Sequence, residues 1–278
     1  MNLILQALHA IPAAAIEHLF VLSRATQVEQ NSARLCRLRD AQPHPDIAGY
    51  CFAQQIDYGF VPQARHPSDF GLLVMDMDST LISIECIDEI ADMQGLKPQV
   101  AAITEAAMRG EIDFAESLRR RVALLEGLDE HALQRVYDER LRLNPGAEKL
   151  LAGVGQHGIR TLLVSGGFLF FTERLKARLG LDFAHANQLE IINGKLTGKV
   201  PGKIVDARGK ADWLNRIRVE LELQPARVIA MGDGANDLKM MAEAGVSIAY
   251  HAKPIVRTQA GHALNFVGLD GVLPLLGQ

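Results

Sequence analysis

The stretch Leu72-Leu73-Val74-Met75-Asp76-Met77-Asp78-Ser79-Thr80-Leu81 constrains this chain most, because an apolar run stops at two carboxylates one residue apart. Four apolar residues between Gly71 and the polar Ser79-Thr80 read as a strand covered on both faces, as in a parallel sheet flanked by helices. Chemistry in such sheets gathers just beyond the carboxyl ends of the strands. Side chains alternate along a strand, so Asp76 and Asp78 leave on the same side and can reach one metal ion or one substrate. A strand ending in an Asx turn fits this short stretch equally well, and the decision rests on the rest of the chain.

Downstream, β and α patterns alternate. A helix is expected from about Gly146 to Gln156, a strand at Ile159 to Val164 and a helix through Phe170 to Leu179. Lys210 to Val219 reads as helical around Trp213, Leu214 and Ile217, and Arg227 to Met231 as a strand running into Gly232-Asp233-Gly234-Ala235-Asn236-Asp237. A helix to Ala244, strands at Val246 to Tyr250 and Ala263 to Val267, and a short helix from Asp270 complete the pattern. Asn193-Gly194 can take the positive φ angles of a type I′ turn, so Glu190 to Thr197 reads as a hairpin that locally interrupts the parallel sheet. The fold class is therefore α/β, a doubly wound Rossmann-like parallel sheet. Between the first strand and this series, about residues 84–142 are helical and charged, with Gly95, Gly110 and Gly127 as stops: a small inserted cap able to close over a site. Residues 1–70 form a separate module. Ile16, Leu19, Phe20 and Leu22 give it one helical face, Pro43 to Asp46 and Val61-Pro62 mark turns, and it carries no catalytic motif.

Composition narrows the class. With 278 residues, 48% of them hydrophobic, the chain can bury a large core, and a net charge of -4 with no long basic run argues against nucleic acid as a partner. Cys36, Cys51 and Cys86 form no C-x-x-C pair, so neither a disulfide framework nor a zinc site is indicated. The N-terminus lacks a basic leader, and no apolar stretch is long enough to span a bilayer; a soluble, cytoplasmic protein is expected.

The polar groups at the strand ends decide between the bland and the chemical readings. Ser165-Gly166-Gly167 follows a strand and precedes a helix, where backbone N–H groups and a hydroxyl can approach an anion. Taken singly, this is an ordinary glycine turn, Lys210 a surface lysine, and Gly232-Asp233-Gly234 a tight turn. Together, Asp76 and Asp78, Ser165 with its glycines, Lys210, and Asp233 with Asn236 and Asp237 supply the carboxylates, hydroxyl, cation and close backbone that phosphoryl transfer needs in one place. Magnesium suits such hard oxygen ligands best.

These four motifs make the chain resemble the haloacid dehalogenase-like phosphatases. The further segments Glu85-Cys86-Ile87-Asp88-Glu89 and Ser117-Leu118-Arg119-Arg120-Arg121-Val122 narrow the resemblance to the phosphoserine phosphatases. The resemblance implies that Asp76 is the nucleophile and that Asp78 first protonates the leaving oxygen and then activates water. It implies Mg2+ held by the side chains of Asp76 and Asp233 and the backbone carbonyl of Asp78. Ser165, Gly166, Gly167, Lys210 and Asn236 would hold the phosphate, with Asp237 orienting Lys210 or completing the metal shell. Glu85 would meet the substrate ammonium and Arg121 its carboxylate, with Met108 and Phe114 as pocket walls. Independently of the resemblance, Phe114, Leu118, Val122 and Leu125 form one apolar helix face, and Arg121 lies on it while Arg119 and Arg120 point elsewhere. The expected partner is O-phosphoserine, hydrolysed at the last step of serine synthesis; a homodimer is compatible with this. Transfer of the phosphoryl group to a small hydroxylated acceptor such as homoserine is the alternative that the same motifs would serve.

Overall fold

The structure, a computed structural model, describes residues 1–277. Its elements are β1 (Asn2–Ala7), α1 (Ala13–Leu22), β2 (Gln27–Ser32), β3 (Leu35–Arg39), α2 (Pro45–Ala53), β4 (Ile56–Val61) and β5 (Leu72–Met75). There follow α3 (Cys86–Asp92), α4 (Lys97–Met108), α5 (Phe114–Ala123), α6 (His131–Arg135), α7 (Ala147–Gln156), β6 (Arg160–Phe168), α8 (Leu169–Leu179) and β7 (Phe183–Asn187). The chain ends through β8 (Ile191–Ile192), β9 (Lys195–Leu196), α9 (Ala207–Glu220), β10 (Val228–Gly232), α10 (Leu238–Ala242), β11 (Val246–Tyr250), α11 (Pro254–Gln259), β12 (His262–Leu264) and α12 (Val272–Leu275).

Six strands form one parallel sheet in the order β12-β11-β10-β5-β6-β7. The run that dominates the sequence lies at its centre: all four residues of β5 are buried, and β10 and β6 pair with it on either side. Alternation then splits the strand between two cores. Leu73 and Met75 join Leu163, Ile229 and Met231 on one face, while Leu72 and Val74 join Leu162, Val228 and Ala230 on the other. A strand buried on both faces has no polar side to show, which is why its sequence is an unbroken apolar run.

Residues 2–61 build a second sheet, antiparallel, in the order β2-β3-β1-β4, with α1 and α2 on one face. The helix face expected at Ile16 and Leu19 is buried there. The four strands had no counterpart in the sequence reading, because they are short and β2 is almost wholly exposed. On β1, Leu3 and Leu5 face α1 and α2, whereas Ile4 packs into the main core. Asp57 of β4, buried among these residues, accepts from the backbone N–H groups of Asn265, Phe266 and Val267 at 2.7, 2.8 and 2.9 Å and so fastens the first sheet to the loop after β12.

Other expectations shift in detail. β6 runs through Ser165-Gly166-Gly167 to Phe168 instead of stopping at Val164, with a register irregularity against β7 between Val164 and Phe168. β12 is shorter than expected, ending at Leu264. The Asn193-Gly194 turn forms with φ of 52° and 75°, but its hairpin leaves the parallel sheet uninterrupted. β8 and β9 stand apart as a two-stranded sheet that bonds to the segment after α5: Gly127 N donates to Leu196 O at 2.8 Å and Leu196 N to Leu128 O at 2.8 Å. Between β5 and α7 lie helices α3 to α6, and the first three of them are followed within a few residues by Gly95, Gly110 and Gly127, each with the positive φ that glycine takes without strain. Among the described residues, no helix is long and apolar enough to cross a membrane.

Candidate active site

Parallel pairing brings the ends of β5, β6 and β10 together, and the predicted polar groups with them. Asp76 follows β5 directly; its backbone N–H continues the ladder to Met231 O at 3.1 Å. Its Oδ1 accepts from Met77 N and from Lys210 Nζ, each at 2.7 Å. Lys210, four residues into α9, is 1% exposed and also donates to Asp237 Oδ1 at 2.7 Å. Burial alone would lower the ammonium's pKa, but the two carboxylates outweigh it and the pKa is raised, so Lys210 is charged. Asp237 is fully buried, and its other oxygen accepts from Gly234 N at 3.0 Å.

Beyond Asp76 the chain turns sharply. Asp78 is extended, and Ser79 takes φ 57°, a left-handed conformation stabilised by its surroundings. The side chain of Asn144, from the far end of the inserted helices, donates to the carbonyls of Thr80 at 2.8 Å, Ile82 at 3.1 Å and Ser79 at 3.4 Å. So held, Asp78 presents Oδ1 to Cys86 N at 2.9 Å and Oδ2 to Ser165 Oγ at 3.2 Å. Burial raises the pKa of both Asp76 and Asp78. Gly167 leaves the room this requires, since a Cβ there would stand 2.7 Å from Asp78 Oδ2 and 3.1 Å from Ser165 Oγ. Gly166 is equally constrained: a Cβ would lie 2.8 Å from the Phe114 ring. Its carbonyl accepts from Asn187 Nδ2 at 2.8 Å, a buried positioning contact that no local sequence signal announced.

Oxygens of Asp76, Asp233 and Asp237 lie within 4.8 Å of one another. Burial and the Asp237 carboxylate push the pKa of Asp233 up to about 6. Three carboxylates with one lysine between them form a donor set of hard oxygens short of positive charge, which fits a divalent cation such as magnesium. The carboxylate of Asp78 lies outside this cluster and is engaged by Cys86 and Ser165.

A cavity of about 330 Å³ opens over these groups, walled by the core on one side and by α3, α4 and α5 on the other. Asp76, Asp78, Ser165, Gly166, Gly167, Asp233 and Asn236 line it from the core, and Glu85, Met108, Phe114 and Arg121 from the inserted helices. The predicted site residues therefore all line this cavity, apart from Lys210, which is bonded to Asp76 and Asp237, and Asp237 itself. Lys210, expected on the phosphate, is held by its two carboxylates and does not itself line the cavity. Glu85 accepts from Ser79 Oγ at 2.7 Å, and its pKa is pushed up to about 7 by burial and by Asp78. Arg121 is half-buried on the apolar face of α5, as its spacing required, while Arg119 is exposed and Arg120 is exposed and paired with Glu116 at 2.7 Å. Burial lowers the pKa of Arg121, and Asp88, Glu85 and Asp78 offset part of that effect. Lys253, absent from the sequence reading, lines the same cavity.

Chemically, the arrangement joins a buried carboxylate beside a lysine, a second carboxyl two residues on, and a cation-binding cluster on one wall to an acid and an arginine on the other. The haloacid dehalogenase-like hydrolase model matches residues 73–242, and a domain of unknown function matches residues 3–47. A phosphoserine phosphatase of Polaromonas is 55% identical over 80% of this chain and 98% of its own. The solved structure of a probable phosphoserine phosphatase from Vibrio cholerae superposes with a TM-score of 0.87 at 38% identity, over 99% of this chain and 86% of that one. A substrate-bound phosphoserine phosphatase superposes with a TM-score of 0.69 at 36% identity, over 74% of this chain and 97% of the other. With nearly all of the cavity lining inside the matched region and identity of this level over most of its length, the chain belongs to the phosphoserine phosphatases of the haloacid dehalogenase-like hydrolases.

Proposed function

We propose that this protein hydrolyses O-phosphoserine to serine and inorganic phosphate, the closing step of a serine-forming route, through a phosphoenzyme on Asp76. One observation carries the reading: a single cavity has a buried nucleophile-type carboxylate with Ser165, Gly166, Gly167 and Asn236 on one wall and Glu85 and Arg121 on the other, so it offers groups for the phosphate, the ammonium and the carboxylate of phosphoserine. Arg121 takes the substrate carboxylate in a charge-assisted contact, and Glu85 takes the ammonium.

In the first half-reaction Asp76 attacks phosphorus. Its Oδ1 is held by Lys210 and Met77 N–H, which leaves Oδ2 to form the new O–P bond as the bond from phosphorus to the serine oxygen breaks. Asp78, its pKa raised by burial, supplies the proton that the departing serine oxygen needs. In the second half-reaction water attacks phosphorus, its proton passes to Asp78, and the Asp76 carboxylate is restored. Splitting the reaction in this way replaces one difficult displacement by two easier ones. Ser165 and the backbone at Gly166 and Gly167 orient the phosphate, and Asn236 closes on it from the loop after β10. Magnesium would be held by Asp76 and Asp233 with the carbonyl of Asp78, Asp237 standing behind, and would supply neutralisation of the charge on the transferring phosphoryl group.

The test is phosphate release from O-phosphoserine, O-phosphothreonine, phosphoethanolamine and p-nitrophenyl phosphate, with magnesium and with chelator. Magnesium-dependent preference for phosphoserine is expected. Equal rates on phosphoethanolamine, which lacks the carboxylate, would remove Arg121 from recognition and phosphoserine from the proposal.

A further inference from the structure

Among the described residues lining the cavity, four carry carboxylates, Asp76, Asp78, Glu85 and Asp233, and only two carry fixed positive charge, Arg121 and Lys253. The two cations stand on different elements, Arg121 on α5 and Lys253 just before α11. Arg121 is felt by Asp88, Glu85 and Asp78, on the side of the inserted helices, whereas Lys253 acts on Asp233, at the end of β10. Lys253 is fixed in place by its backbone, whose N–H donates to Asp233 O at 3.1 Å, and Pro254 behind it starts α11. Its side chain is exposed, and its ammonium is in no ion pair among the described residues. Lys210, the other lysine of the site, is withdrawn behind Asp76 and neutralised by two carboxylates.

We propose that Lys253 is the phosphate-steering residue of this site, an uncommitted cation at the cavity mouth that meets the phosphate dianion as it enters and again as it leaves as inorganic phosphate. This rests on the phosphomonoesterase reading above and adds a residue to it. The wall that an incoming phosphate first meets is anionic, and approach to it is repulsive unless a mobile positive charge stands at the rim. A solvent-exposed lysine acts there over about a Debye length, ~10 Å at 0.1 M salt, so its influence falls as salt is added.

The experiment compares wild type with Lys253→Gln, Lys253→Glu and Lys253→Arg, and with Lys195→Gln as a lysine remote from the cavity, on magnesium-loaded enzyme. Phosphoserine turnover and inhibition by inorganic phosphate are measured at low and high ionic strength. For Lys253→Gln, kcat/KM should fall about fivefold to tenfold at low salt through KM, and less than about twofold at 0.5 M salt, with kcat nearly unchanged. The inhibition constant for phosphate should rise in parallel, Lys253→Glu should be worse, and Lys253→Arg and Lys195→Gln should stay near wild type. Because the backbone bond to Asp233 survives every substitution, a structural role would not respond to salt. A loss independent of ionic strength, a loss in kcat alone, or no loss at low salt would overturn the proposal. Failure of the wild type to hydrolyse phosphoserine at all would instead overturn the reading beneath it.

Discussion

At the scale of single residues, the site assigns different work to carboxylates of the same type through their neighbours. Asp76 is pinned by Lys210, whereas Asp78 is flanked by a backbone N–H and a hydroxyl and, among the described residues, has no lysine in contact. Asp78→Asn should therefore separate the half-reactions. An alkyl serine oxygen leaves badly without a proton, while nitrophenolate leaves well unaided. Stopped-flow absorbance with p-nitrophenyl phosphate should show a burst approaching one equivalent per site followed by slow turnover, and phosphoserine should be slow from the start. Uniform slowing without a burst would reduce Asp78 to a positioning role. The arginines give a second contrast: Arg121→Ala should raise KM for phosphoserine about tenfold or more, the loss of a charge-assisted contact worth ~2 kcal/mol. It should leave p-nitrophenyl phosphate little affected, and Arg119→Ala should change neither substrate. Equal effects at both arginines would sink the assignment. This distinction was legible in the sequence because helical spacing alone puts Arg121 on the apolar face of α5. Lys253 and Asn187 were not, since only tertiary folding brings them to the site.

At the scale of elements, the core strands announced themselves and the first sheet did not. β5 and β10 are wholly buried runs and β11 nearly so, whereas β2 is exposed and β3 alternates over only five residues, too little to separate strand from loop. Ser165-Gly166-Gly167 reads locally as a turn; pairing with β7 beyond it keeps the chain extended to Phe168. The junction with the inserted helices is likewise long-range. Ser83 N donates to Arg142 O at 2.9 Å, Asn144 N to Leu81 O at 3.0 Å, and the Asn144 amide spans three carbonyls of the loop that carries Asp78. Asn144→Ala should leave these carbonyls short of a donor, lower stability by about 1–3 kcal/mol and depress kcat through loss of the Asp78 geometry. Urea unfolding and steady-state kinetics check this together. Unchanged kcat with lowered stability would confine Asn144 to the scaffold.

At the scale of the whole molecule, the first sheet is built into the phosphatase core. Besides the Asp57 clamp, His262 of β12 packs against Gly59 of β4, where an added Cβ would come within 2.9 Å of the ring nitrogen. Burial, reinforced by Arg65, pushes the pKa of His262 down to about 4. The unfolded chain therefore takes up a proton that the folded one refuses between about pH 6.5 and pH 4, so stability is full above that window and falls as pH drops through it. Thermal unfolding across this range should show the loss, and His262→Gln should flatten the contribution; an unchanged pH profile in the variant would remove His262 as its source.

The phosphoenzyme proposed on Asp76 is the step that a direct measurement can test. Magnesium-loaded enzyme mixed with 32P-labelled O-phosphoserine and quenched in acid within milliseconds should carry protein-bound label that hydroxylamine releases, as an acyl phosphate does. The label should map to the peptide containing Asp76, persist longer in Asp78→Asn and be absent in Asp76→Asn, which should remain folded. Turnover of phosphoserine with no labelled protein at any time, or label unaffected by Asp76→Asn, would contradict the account.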